Sequence, residues 1–159
     1  MRFFPRHTGP ADEAAMLSQT AEYALRTILF IAQRSKEDGP VQTEAIAEAL
    51  DIPRNYLSKI LHRLARQGVL HSTRGRGGGF LLTRPPKELP IIDVVGLFDQ
   101  ISPGRTCLLG RPVCSDANAC DAHAAWKDMS ERVAVFFRET TVGDLLGEAA
   151  TFKKKRARA

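Results

Sequence analysis

No stretch of the 159 residues is apolar for long enough to span a bilayer, so no membrane partner is expected. Arg2 and Arg6 sit near the N-terminus, but Pro5 and His7 interrupt the apolar region that a signal peptide needs. A cytoplasmic protein is therefore expected. Cysteine is scarce: Cys107, Cys114 and Cys120 are the whole supply, and an odd count argues against a closed disulfide framework. C-x-x-C is missing, which makes a zinc knuckle a poor fit. Catalytic signatures are missing as well. There is no HExxH and no evident nucleophile–base pair, and the glycine-rich run from Gly75 to Gly79 lacks the Lys-Ser/Thr that completes a P-loop. An enzyme is not expected. Nor is there an internal repeat.

What is present suits one globular domain with a smaller appendage, large enough to bury a core without disulfides. The net charge is +5 and the pI is near 9.4. Such basicity fits a polyanionic partner, although many ordinary proteins share it. The placement of charge says more: Arg74 and Arg76 stand among glycines, and Lys153, Lys154, Lys155 and Arg156 form a terminal run.

Residues 1–15 show no periodicity and read as a flexible extension. Ala21, Ala24, Leu25, Ile28, Leu29 and Ala32 then recur at helical spacing and define one apolar face. Asp38-Gly39-Pro40 ends that helix. Thr43 is the expected N-cap of a short second helix with Ile46, Ala47 and Leu50 inward. Asp51-Ile52 makes a tight connection, Pro53 suits a first turn, and a third helix buries Leu57, Ile60, Leu61 and Leu64 until Gly68 stops it. Val69-Leu70 and Phe80 with Leu82 predict two strands around the glycine turn, hence a hairpin that Pro85-Pro86 terminates. Ile91 to Ile101 predicts a further helix, closed by Pro103-Gly104. After the cysteines, Trp126, Met129, Val133, Phe136 and Phe137 mark another amphipathic helix. Its apolar stripe can pack within the chain or against a partner subunit. The basic tail is expected to be disordered.

Two short helices across a tight turn, followed by a basic hairpin, make a winged helix-turn-helix. In that motif the second helix presents its N-terminal residues to base edges in the major groove of duplex DNA. Here these are Arg54, Asn55, Tyr56, Ser58 and Lys59. Asn pairs well with adenine, and Arg and Lys pair well with guanine. Arg74 and Arg76 on the wing can reach phosphate or a narrow minor groove.

Six residues separate Cys107 from Cys114, and five separate Cys114 from Cys120. Thiolates on a loop suit an iron–sulfur cluster, and Gly110 and Pro112 let such a loop wrap. Three cysteines leave one ligand position to fill. His123 lies three residues beyond Cys120 and shares its side if the segment is helical. A lone histidine near a helix start is otherwise commonly exposed or hydrogen-bonded.

Glu22-Tyr23-Ala24-Leu25-Arg26, Ile46-Ala47 with Ile52-Pro53 and Tyr56-Leu57, and above all the wing Ser72-Thr73-Arg74-Gly75-Arg76-Gly77-Gly78-Gly79-Phe80 resemble the IscR, NsrR, RirA and CymR regulators of bacteria. The resemblance covers about residues 16 to 145. It implies a homodimer on a pseudo-palindromic operator, commonly as a repressor, with a long C-terminal dimerisation helix. Its cluster-binding members carry three cysteines between the wing-side domain and that helix. In the IscR group a histidine spaced like His123 is a ligand. In the NsrR group an acidic residue at the position of Glu22 completes the cluster across the dimer. A 2Fe-2S cluster is the expected form and a 4Fe-4S cluster the alternative. The signal stays open among nitric oxide, iron, cluster supply and redox state. A thiol-based regulator without a cluster and an iron–sulfur carrier are the competing readings. The expected fold is mostly α with a small β-hairpin wing: extension 1–15, winged helix-turn-helix 16–102, cysteine loop 103–123, dimerisation helix 124–146 and basic tail 147–159.

Overall fold

The computed structural model describes residues 16–101, 107, 109 and 115–147. The N-terminal extension, Pro103-Gly104, Cys114 and the terminal basic run lie outside the described residues. The described elements are α1 (Gln19–Asp38), α2 (Thr43–Leu50), α3 (Arg54–Arg66), β1 (Leu70–Thr73), β2 (Gly79–Leu82), α4 (Ile92–Val95), α5 (His123–Glu139) and α6 (Val142–Leu145).

Ser18 caps α1: its hydroxyl accepts from the Ala21 amide at 3.2 Å, satisfying a donor that the first turn leaves open. Gly39, at φ 75°, ends the helix. The predicted inner face is buried at Ala21, Ala24, Ile28, Leu29 and Ala32, with Ile31 added and Leu25 half-buried. Against it lie Ile46 of α2 and Leu57, Ile60, Leu61 and Leu64 of α3. Each such aliphatic side chain contributes about 1.5–3 kcal/mol on burial. Thr43 is the first residue of α2 and not its cap; Gln42 holds the cap position without a side-chain bond. The α2–α3 connection turns on Asp51 at φ 55°, a left-handed conformation that Asp tolerates better than most residues. The Ile52 amide then donates to the Ala47 carbonyl at 3.1 Å.

The wing pairs Leu70 with Leu82 and Thr73 with Gly79 in an antiparallel register. Its turn uses Gly75 and Gly77 at φ 93° and 83°, where a side chain would be strained. A feature with no sequence signal ties the wing down. Val41, just before α2, bridges to Phe80 through paired backbone bonds of 3.0 and 2.9 Å. A Cβ on Gly79 would lie 2.5 Å from the Val41 carbonyl oxygen, so only glycine fits there.

Two predicted helices are shorter than expected. The helix expected over Ile91 to Ile101 is regular only from Ile92 to Val95. Past Gly96 two tighter bonds interrupt the helix, with Leu97 donating to Val94 at 3.3 Å and Phe98 to Val95 at 3.0 Å. Glycine is a poor helix former and loosens the run. The helix expected to reach residue 146 stops at Glu139 because Thr140 turns extended, at ψ 127°. Thr141 then builds a capping box with Asp144 and starts α6. The joint is held by backbone bonds from Ile91 to Thr140 at 2.9 Å and from Val142 to Leu89 at 2.8 Å. Buried Phe137 and Val142 thereby join the core of the winged domain.

Gly79→Ala is expected to force the wing away from Val41, at a cost of about 1–3 kcal/mol. Urea unfolding measures the loss. Unchanged stability would mean that the Val41–Phe80 bridge is dispensable.

Candidate nucleic-acid interface and cysteine segment

Helix α3 turns its apolar stripe into the core, which leaves a polar face outside. Arg54, Asn55 and Lys59 are exposed on it, with His62, Arg63 and Arg66 further along. Arg54 is ion-paired with Glu44 of α2, and both side chains are more than half exposed. Tyr56 and Ser58 differ from the other three. Tyr56 is half-buried, its hydroxyl shares a hydrogen bond with the Thr20 hydroxyl of α1, and its ring meets Tyr23 edge-on at 6.0 Å. The Ser58 hydroxyl donates to the Arg54 carbonyl at 2.9 Å. Both hydroxyls thus serve the fold, and Tyr56 pins the start of α3 to α1. Arg74 and Arg76 are exposed at the wing tip, in the turn between β1 and β2.

Sequence reasoning missed Glu44, Thr20 and the basic residues past Lys59. Lys59, Arg63 and Arg66 follow helical spacing, so that stripe was legible. The Thr20–Tyr56 bond joins residues 36 apart and had no local signal. Arg26 is a further positioning residue. Its guanidinium lies 3.7 Å from Glu22 and donates to the Leu50 carbonyl at 3.4 Å, at the helix-turn-helix turn.

The cysteine segment begins just after α4. The Ser18 amide donates to Asp99 at 2.7 Å, so the start of α1 is tied to the entrance of that segment. Cys107 is buried and Cys120 half-buried. Cys120 lies two residues short of α5, and the His123 amide donates to its carbonyl at 2.8 Å. His123 opens α5 and is itself buried. Its Nε2 lies 2.9 Å from Oδ1 of Asp116, a residue the sequence did not single out. Lys127, one turn further along α5, reaches both Asp116 oxygens at 3.0 Å. The Lys127 ammonium, and then His123, hold the Asp116 carboxyl below the usual carboxylate range. Among the described residues no group of three or more His, Cys, Asp or Glu side chains is arranged around a metal position, and Cys114 is not among them. Glu22 is half-buried on α1 with Arg26 as its ion-pair partner.

The different settings of the α3 residues give them different expected phenotypes. Tyr56→Phe should weaken binding to all duplexes alike, because it removes the Thr20 bond that holds the start of α3. Asn55→Ala should change the base preference. Arg74→Ala and Arg76→Ala should each lower the salt slope of binding by about one. Selection from randomised duplexes, repeated at several salt concentrations, separates the three. A changed preference at one base pair in Tyr56→Phe would make Tyr56 a base reader.

Comparison with known proteins agrees with this geometry. The family model described as Rrf2, iron-dependent transcriptional regulator, matches residues 17–148. An HTH-type transcriptional regulator of Aquifex aeolicus is 35% identical over 133 residues, covering 82% of this chain and 91% of the relative. The HTH-type transcriptional regulator IscR of Klebsiella pneumoniae is 33% identical over 130 residues, covering 82% and 78%. The named relatives are transcription regulators, not enzymes. In fold, the chain resembles CymR, the global cysteine regulator of B. subtilis, with a TM-score of 0.72 at 19% identity over 86% of this chain and 99% of that one. It also resembles IscR of T. potens, with a TM-score of 0.66 at 20% identity over 92% and 93%. The oxidized form of Staphylococcus aureus CymR follows at 0.65 and 21% identity over 83% and 96%. No helix among the described residues is long and apolar enough to cross a membrane. The winged helix-turn-helix, its exposed basic face and the matches over most of its length show that this chain is a DNA-binding transcription regulator of the Rrf2 family.

Proposed function

We propose that the chain is a cytoplasmic homodimeric repressor whose operator affinity is set by an iron–sulfur cluster on Cys107, Cys114 and Cys120, with His123 as the fourth ligand. The observation that carries the reading is buried His123, three residues beyond Cys120 and bonded through its amide to the Cys120 carbonyl, at the head of the helix that leads back into the winged domain. The donors fit the group. Thiolates and imidazole are cluster ligand types, and the burial of Cys107 and His123 gives them a water-poor setting. When bound, such a cluster supplies a redox-active iron centre that nitric oxide, oxygen or iron shortage can degrade. A 2Fe-2S form is favoured over 4Fe-4S. Glu22 is the weaker candidate for the fourth position, since its carboxylate already faces Arg26.

Dimerisation is read from α5. Met129 and Phe136 are exposed on it, while Val133 and Phe137 face the chain's own core. Part of the predicted apolar stripe is therefore covered within the chain, and Met129 and Phe136 are the part this reading assigns to a partner subunit. Two copies would set two α3 helices on a pseudo-palindrome with half-sites about one helical turn apart. The cysteine segment lies between α4 and α5, and Asp99 at its entrance holds the start of α1. A change of state there can reach Tyr56, and with it α3, through Thr20.

A thiol-based reading has one observation behind it: a protein of this fold, S. aureus CymR, has been solved in an oxidized form. Anaerobic purification with iron, sulfide and absorption analysis decides between the two. The cluster reading expects a coloured protein that loses its colour in Cys107→Ala, Cys114→Ala and Cys120→Ala. It also expects holo and apo forms to differ at least about tenfold in operator affinity, or ~1.4 kcal/mol. Colourless protein whose DNA affinity follows thiol oxidation would favour the alternative. Equal affinities in every state would remove the gate.

A further inference from the structure

We propose that Glu44 of α2 sets base specificity: its carboxylate holds the Arg54 guanidinium for a guanine edge and away from the phosphates. The inference rests on the reading of Arg54 as a residue of the DNA face and deepens it. Arg54 is the first residue of α3, and its side chain is 67% exposed. Arginine at such a place has two partners on a duplex: a phosphate oxygen, or the O6 and N7 atoms of guanine. A phosphate contact carries no sequence information. The dense charge of the phosphates draws a long, unrestrained cation by default.

Glu44 changes that choice. Its Oε1 pairs with Arg54 Nη2, joining the first turn of α2 to the start of α3. Nη2 contributes one N–H to each of the two forks of a guanidinium, so an oxygen on one fork leaves the other complete for bidentate contact with guanine. The pairing lowers the charge that Arg54 offers to a phosphate, and the carboxylate itself repels one. The charged residues of α3, Arg54, Lys59, Arg63 and Arg66, are all basic. Glu44 therefore sets an acidic side chain against a basic helix, which costs affinity for a polyanion of any sequence. Its return is not stability, since both side chains are more than half exposed and an exposed pair adds little to folding. A negative charge in the first turn of α2 also suits the positive end of that helix, but that role needs no arginine and moves no base preference.

The test uses the full chain in the state that binds its selected duplex, with base preference read per half-site by selection from randomised duplexes and then by titration. Arg54→Ala should remove a guanine preference at one base pair, a loss of about tenfold or more. Glu44→Ala should lower discrimination at that same base pair about two- to fivefold, the range an exposed ion pair can supply. Its binding to a random duplex should meanwhile tighten, with a steeper dependence on salt. Glu44→Gln keeps an oxygen for Nη2 without the charge. It should retain more discrimination than Glu44→Ala and show the same tighter random binding. In an Arg54→Ala background, Glu44→Ala should leave base preference unchanged, which separates steering from a general effect of charge or of α2. Unchanged discrimination in Glu44→Ala beside a clear loss in Arg54→Ala would overturn the role of Glu44 and leave Arg54 as a base reader. If Arg54→Ala weakens all duplexes alike, Arg54 is a phosphate contact, and its base-reading role and this inference fail together.

Discussion

The burial of α3 against α1 is the interaction on which everything presented to DNA depends. Leu57, Ile60, Leu61 and Leu64 enter the same core as Ala24, Ile28 and Ile31, and that seam decides which face of α3 is left outside. An amphipathic helix buries one stripe and exposes the other. Once the stripe is buried, Arg54, Asn55 and Lys59 have nowhere to go but outward. The wing is oriented by the same core, because Val41 clips Phe80 to the segment that feeds α2. Helix and wing are thus two projections of one packed body.

Helix α1 does more than fill space. Its N-terminal turns hold two parts of the molecule that are distant in sequence. Ser18 takes the carboxylate of Asp99, and Thr20 and Tyr23 take Tyr56. One turn later Arg26 reaches the Leu50 carbonyl at the helix-turn-helix turn. The entrance of the cysteine segment and the recognition helix therefore share one short stretch of backbone. A displacement at either end has few residues to cross before it meets the other. The helix that follows the cysteine segment is anchored at its far end. Helix α5 returns to the winged domain at Thr140–Val142, where backbone bonds to Leu89 and Ile91 close the joint. The elements on either side of the cysteine segment, α4 and α5, thus both join the core of the winged domain.

Much of this was readable from residue order. Periodicity alone identified the buried faces of α1 and α3, and Gly39 and Gly68 marked helix ends because no other residue enters positive φ so cheaply. The wing followed from glycines between short apolar runs. The motif made of these parts, and the exposed residues on it, followed from their order along the chain. The shortened helices did not. Ile91 to Ile101 and 124–146 are apolar enough to be helical throughout, but periodicity does not register a loosened turn after Gly96 or a break at Thr140 whose backbone is claimed by Ile91.

The limit is set by distance along the chain. Helical spacing, capping and turn chemistry act within a few residues, and for that reason the sequence by itself determined the order of elements, the core face of each helix and the basic character of α3 and the wing. The folded structure decided what depended on partners far away. It tied Tyr56, one of the residues expected at the DNA face, to Thr20. It divided the stripe of α5 between buried Phe137 and exposed Met129 and Phe136. It also brought Asp116 to His123 across a change from turn to helix. A side chain's role follows from what it faces, and what it faces is settled only when the elements pack.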